Sequence, residues 1–170
     1  LAAELGQKVP VVVLAADLAD PKAPQEMFAA IQAAGLQVDT LVNNAGFGEV
    51  GPLETLPLER ARAMFDVNVF GLMGLTQQLL PAMRERGSGR IVNISSIAGR
   101  WVSPGAGWYG ASKFALEGLA DTLRLELHGT NIHISLIEPG PILSNFRTNS
   151  YALYKKNIDQ VNSFHKDAYE

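Results

Sequence analysis

Apolar stretches of strand length alternate along this 170-residue chain with segments whose apolar residues recur at helical spacing. That alternation predicts βαβ units around a parallel sheet. Leu1 to Gly6 reads as the last turn of a helix closed by glycine. Val9 to Ala16 is nearly all apolar and rich in β-branched residues, which predicts a strand covered on both faces that delivers Asp17 at its carboxyl end. From Pro24 to Ala34 the residues Met27, Phe28 and Ile31 share one helical face, and Gly35 stops the helix. Asp39 to Val42 predicts a second strand running into Asn43-Asn44-Ala45-Gly46.

A long helix is expected from Thr55, a suitable N-cap with Pro57 in the first turn, to Arg86 before Gly87-Ser88-Gly89, with Pro81 kinking its end. Arg90 to Ser95 predicts a third strand, followed by a loop rich in Gly and Pro through Gly107. Tyr109 to Leu127 reads as a helix whose Leu116, Leu119, Leu123 and Leu127 form one stripe, either core or subunit interface. His133 to Ile137 predicts a fourth strand, ended by Pro139-Gly140. Tyr151 to Glu170, polar and dotted with aromatic residues, reads as a mobile helix.

With 47% hydrophobic and 18% charged residues, the composition suits one globular domain. A net charge of −3 without a dense Lys/Arg run argues against a nucleic-acid partner. The absence of cysteine removes disulfides, thiolate zinc sites and a cysteine nucleophile, and it suits a reducing compartment; a cytoplasmic location is the expectation. The longest apolar run, Val11 to Ala16, is too short for a membrane span. His128, His133 and His165 show no ligand spacing, which argues against a metal site.

In open parallel sheets ligands bind beyond the carboxyl ends of the strands. Those ends here carry Asp17, then Asn43 to Gly46, then Ser95 and Ser96, then Pro139 and Gly140. Tyr109 and Lys113 stand four positions apart on a predicted helix, so they share a face. A free phenol has a pKa of roughly 10, too high for efficient proton exchange near neutrality. The nearby ammonium of Lys113 is expected to stabilise the phenolate and lower that value. Tyr109 is then the candidate acid and base, and the Ser96 hydroxyl the group that polarises the same substrate oxygen. Arg100, Trp101 and Trp108 flank these residues, and the tryptophans either line an apolar substrate pocket or simply pack.

Asn43-Asn44-Ala45-Gly46, Asn68, Ile94-Ser95-Ser96, Tyr109-Gly110-Ala111-Ser112-Lys113 and Pro139-Gly140 occur in one order, and in that order the chain resembles the short-chain dehydrogenase/reductases. The resemblance implies an α/β, Rossmann-like doubly wound parallel sheet and an oxidoreductase moving a hydride between NAD(P)(H) and an alcohol or carbonyl. It implies catalytic roles for Asn68, Ser96, Tyr109 and Lys113, with Asn68 helping to hold a water in a proton relay. It implies cofactor contacts at Asp17, Asn43, Ala45, Gly46, Tyr109, Lys113, Pro139, Gly140, Ile142 and Ser144. Ser144 stands where the family pattern usually has threonine. The segment from Ser135 to Ile142 is similar to members acting on retinoids, steroids or fatty aldehydes, which points to an apolar substrate and to NADP, with NAD as the alternative. Packing of the two long helices against a second subunit, as a homodimer or homotetramer, is implied as well.

The family pattern opens with a strand, a glycine-rich phosphate-binding turn and a second strand, and none of these stands before Leu1. The expectation is therefore a partial Rossmann domain over residues 1–170, the central part of a protein of roughly 250 residues, with a substrate lid starting over residues 147–170. The first two strands of the family sheet lie between those ending at Asp17 and Asn43, so the first strand is expected to lack its neighbour and to expose an apolar edge. The competing reading is a non-enzymatic or inactive fragment unable to bind cofactor alone. The intact Asn68, Ser96, Tyr109 and Lys113 argue against a relict site, whereas the missing phosphate turn argues for inactivity of the piece as it stands.

Overall fold

The computed structural model describes residues 2–159 and 164. Three strands, β1 (Thr40–Asn43), β2 (Gly89–Ile94) and β3 (Ile132–Ile137), pair in parallel in the order β1-β2-β3. The α-helices are α1 (Ala2–Leu5), α2 (Ala23–Ala33), α3 (Leu58–Phe65), α4 (Leu72–Arg86), α5 (Gly107–Glu126) and α6 (Asn145–Asn157). A π-helical segment, Asp66–Gly71, joins α3 to α4, and a 3-10 turn, Ile97–Gly99, follows β2. This is a mixed α/β architecture of the Rossmann type with an incomplete sheet.

Parallel neighbours need a crossover, and here helices supply it: α3, the π segment and α4 between β1 and β2, and α5 between β2 and β3. Leu41, Ile91, Ile132 and Ile134 of the sheet are buried against Leu75, Leu79 and Met83 of α4 and Ala120 and Leu123 of α5. Met27, Phe28 and Ile31 of α2 pack against the same core through the face read from their spacing. Of the α5 leucine stripe, Leu116, Leu123 and Leu127 are buried and Leu119 faces outward.

Polar side chains fix the sheet register as well. Asn43 pairs with Asn93 across β1 and β2, and its Nδ2 donates to Asn93 Oδ1 at 2.9 Å and to Thr76 Oγ1 of α4 at 3.1 Å. All three residues are buried, so the bridge locks β1, β2 and α4 together where water is excluded.

Three expectations fail. Val9 to Ala16 is not a strand: the segment joins no ladder, and Val9, Val12 and Val13 are more than half exposed. Its composition favours pairing, but among the described residues no strand lies beside it to accept the bonds. Thr55 is not an N-cap, because its N–H and that of Leu56 both donate to Pro52 O in a turn of their own. The helix starts instead at Leu58, after Pro57, whose ψ of 137° is extended. The last helix begins at Asn145 rather than Tyr151, capped by Ser144, whose Oγ accepts from Phe146 N at 3.4 Å. The part of the expected helix at 160–163 and 165–170 lies outside the described residues.

Asn43→Ala strips Asn93 Oδ1 of its donor inside the core, and urea unfolding should show a loss of about 1–3 kcal/mol; an unchanged midpoint would mean the bridge does not hold the sheet.

Candidate active site

The β2–β3 ladder continues past the strand ends, where Ser95 N donates to Ile137 O at 2.7 Å and Ile97 N to Pro139 O at 3.1 Å. This continuation sets Ser96 beside Pro139-Gly140. Ser96 caps the 3-10 turn by accepting from Ala98 N at 3.1 Å, which leaves its own hydrogen free to point elsewhere. On α5, Tyr109 and Lys113 come up to the same place, with Lys113 Nζ 5.9 Å from the centre of the Tyr109 ring and donating to Ile94 O at 2.9 Å. Ser96, Tyr109 and Lys113 thus line one cleft of about 390 Å³, together with Asn44, Gly46, Pro139, Gly140, Ile142 and Ser144.

Asn68 holds this site from behind. The wider π turn carries its side chain into full burial, where Oδ1 accepts from Phe47 N at 3.1 Å. Its Nδ2 donates to Phe47 O at 2.9 Å and to Ser112 Oγ at 3.1 Å. Ser112 Oγ passes its own hydrogen to Tyr109 O at 2.7 Å. Gly46 lies against this network: a Cβ there would sit 3.0 Å from Asn68 Oδ1 and 3.7 Å from Lys113 Nζ.

Other sequence-selected residues lie apart from the cleft. Asn43 spends its amide on Asn93 and Thr76. Ala45 is exposed in the turn between Asn44 and Gly46. Asp17 borders a separate cleft with Leu14, Asp20, Ala23 and Met27, and its Oδ1 accepts from Ala19 N at 3.0 Å. Of the two tryptophans, Trp101 lines a second cleft, whereas Trp108 packs edge-on against Phe65 at 6.5 Å.

That second cleft shares Tyr109 and Phe146 with the first and is lined by Gly48, Val50, Ile97, Trp101 and Tyr151. Phe146, at the start of α6, packs on the Tyr109 ring with centroids 5.5 Å apart. Tyr109 therefore stands between two clefts, one carrying Ser96 and Lys113 and the other Val50 and Trp101.

The electrostatics correct one expectation. Burial pushes the Tyr109 phenol above its ordinary value, and the Ser96 hydroxyl opposes this only in part. The expected lowering by Lys113 is absent because the stronger effect is desolvation, which also pulls Lys113 itself down to about 8, with Glu117 opposing. Near neutrality Tyr109 is a phenol and Lys113 an ammonium. That pair is suited to giving a proton to an oxygen that gains negative charge.

Residues outside the sequence reading complete the frame. Buried Glu49 accepts from Arg60 Nε at 2.8 Å and from Asn157 Nδ2, tying the loop after β1 to α3 and α6. Asn93 was detectable as a polar residue in the apolar strand Ile91-Val92-Asn93-Ile94, and Glu117 as a carboxylate on the buried face of α5, one turn past Lys113. Ser112 carries no such signal.

The family model for short chain dehydrogenase matches residues 1–154. A probable short-chain type dehydrogenase/reductase of Helicobacter pylori, VdlC, is 37% identical over 161 residues, covering 91% of this chain and 59% of that protein. Human retinol dehydrogenase 8 is 44% identical over 142 residues, covering 84% of this chain and 44% of that protein. Among solved structures, the closed form of serine dehydrogenase complexed with NADP+ superposes with a TM-score of 0.81 at 33% identity, covering 91% of this chain and 64% of that one. The chain belongs to the short-chain dehydrogenase family. It spans about half the length of the curated relatives it matches.

The depressed Lys113 has a signed consequence for stability. Below about 8 both folded and unfolded chains hold the proton, and the penalty for burying the charge is fully present. Between about 8 and the ordinary 10.5, the unfolded chain binds more protons than the folded one, so stability should rise with pH across that window. Urea titrations at stepped pH should show this rise in the native sequence and its loss in Lys113→Met; equal pH slopes in both would mean that Lys113 titrates normally.

Proposed function

We propose that the protein is an NADP-dependent oxidoreductase that interconverts an apolar carbonyl compound and its alcohol, with Tyr109 as general acid and base. The observation that carries this reading is the convergence of Ser96, Tyr109 and Lys113 on one cleft, with Tyr109 also lining the second cleft beside it. The residues present fit the nicotinamide end of such a cofactor. Gly46 leaves open the space beside Lys113 that a side chain would fill, a Cβ at Gly140 would meet nothing within 4 Å, and hydroxyl and ammonium donors line the same wall. Lys113, Asn44, Gly46, the Pro139-Gly140 turn, Ile142 and Ser144 would hold it, and Asp17 would serve its adenine end from the separate cleft. When bound, the nicotinamide supplies or accepts the hydride at the substrate carbon.

The chain's own residues handle the oxygen and its proton. In the reducing direction the Ser96 hydroxyl donates a hydrogen bond to the carbonyl oxygen, and the Tyr109 phenol gives that oxygen its proton as negative charge develops there. The phenolate left behind lies near the Lys113 ammonium, which stabilises it until it regains a proton. In the oxidising direction the same phenolate removes the alcohol proton. Asn68 holds the tyrosine helix in place through Ser112.

Trp101, Val50 and Tyr151 favour an apolar substrate, and the 44% identity to human retinol dehydrogenase 8 supports the same class. NADP is preferred over NAD because the serine dehydrogenase neighbour is complexed with NADP+. We take α6 as the start of the substrate lid, since Phe146, Ser150 and Tyr151 border the second cleft. Exposed Phe70 and Leu125 on the long helices support a homodimer or homotetramer.

Tyr109→Phe keeps the ring packing on Phe146 and removes the acid, so turnover of aldehydes with NADPH should fall by about 10²–10⁴-fold while coenzyme-induced thermal stabilisation is retained. Undiminished turnover by Tyr109→Phe would remove the phenol from the mechanism.

A further inference from the structure

Glu117 lies on α5 one turn beyond Lys113 and is only 3% exposed. Neither of its carboxylate oxygens receives a hydrogen bond of good geometry. Among the described residues its close cation contact is ionic, with Arg100 Nη2 2.9 Å from Oε2. Arg100 is half exposed and divides itself, its Nε lying 3.1 Å from Glu138 Oε1 at the end of β3. A carboxylate so poorly matched is expensive to bury unless another charge compensates it. The structure nevertheless makes room for it: at Gly99 a Cβ would stand 3.0 Å from Glu117 Cγ and 3.2 Å from Oε1.

A second cation buried near it is Lys113, one turn earlier on α5. Residues four apart on a helix share a face, and both of these are buried. Among the described residues Lys113 has a single hydrogen bond, to Ile94 O, for its three hydrogens. Other charged groups stand on the elements around α5: Asp66 on the π segment, Arg62 on α3, Arg100 after the 3-10 turn and Glu138 after β3. Asp121 and Arg124, further along α5, bind each other.

We propose that Glu117 is a positioning residue for the reaction, the buried counter-charge that keeps the Lys113 ammonium protonated beside Tyr109, with Arg100 pinning the carboxylate in place. The catalytic meaning of this role rests on the oxidoreductase reading above. Desolvation alone would drive Lys113 toward the neutral amine, and Glu117 is the charge that acts against it. An amine in place of the ammonium would leave the Tyr109 phenolate without a partner in either direction of the reaction. Arg100 and Glu138 extend the same ionic chain to the loop after Ser96 and to the turn at Pro139, so the charges that set Lys113 also tie together the two loops bordering the cleft.

The test is an NMR titration of Lys113 in the full chain labelled with ¹³C and ¹⁵N at lysine and ¹³C at glutamate, which needs neither coenzyme nor substrate. In Glu117→Gln, which keeps the shape and loses the charge, the Lys113 midpoint should drop by about one pH unit. In Glu117→Asp, which keeps the charge and changes the shape, it should stay closer to the native value than to that of Glu117→Gln. A native midpoint in Glu117→Gln, or an equal drop in both variants, would overturn the proposal. The native chain offers a second readout that no folding defect can obscure: the Glu117 Cδ shift should inflect at the Lys113 midpoint, and a flat trace there would count equally against it. In turnover assays the pH limb of kcat should move with the midpoint while KM for the carbonyl stays constant. Absence of turnover in the native chain would count against the oxidoreductase reading alone, because the titration reads the charge pair directly.

Discussion

The site depends on one buried amide. Asn68 bonds both backbone groups of Phe47, 21 residues before it, and the hydroxyl of Ser112, 44 residues after it. An amide buried without partners would cost several kcal/mol, so this side chain is stable in full burial only while all three segments stay in place. The loop after β1, the π turn and α5 are held together by that condition. Gly46 is adjacent in sequence to Phe47, Lys113 to Ser112, and the Tyr109 carbonyl takes the Ser112 hydrogen. Gly46, Tyr109 and Lys113 are therefore each at most one short step from the same amide, while the β2–β3 ladder places Ser96.

Around this anchor Tyr109 faces two clefts. One carries Ser96, Lys113 and the glycine turns; the other carries Val50 and Trp101, and Phe146 lines both. Burial holds the phenol protonated and, at Lys113, weakens the hold of the amine on its proton. The two shifts move the pair apart in affinity for a proton, Tyr109 above its ordinary value and Lys113 down to about 8, so the tyrosine is held in its acid form. Glu117 and Arg100 belong to the same balance, since a buried cation needs an anion and a buried anion needs an anchor.

Much of this arrangement was legible in the chain, for physical reasons that also explain what was not. β1, β2 and β3 announce themselves as short runs rich in Leu, Val and Ile, although burial alternates along them in the structure. Val9 to Ala16 carries the same mark and forms no strand, since composition reports a capacity to pair and not the presence of a neighbour. The meeting of Ser96, Tyr109 and Lys113 followed from two rules, shared faces at four-residue spacing and ligands at strand ends. The π segment was not legible, because a turn widened by one residue leaves no distinct mark on apolar spacing. Nor was the direction of the Tyr109 shift, which turns on how deeply a ring is buried relative to its distance from a charge. Asn93 and Glu117 were visible as polar residues at apolar positions, but Ser112 gains its meaning only from Asn68 across the fold.

Hydrogen exchange at the Phe47 amide tests this account most directly, because that N–H belongs to no helix or strand and its acceptor is Asn68 Oδ1. The account predicts protection comparable to that of the β2 amides, lost when Asn68 is replaced by alanine. Exchange at the rate of an open loop in the native chain would show that the amide does not hold the three segments together, and the site built on it would lose its foundation.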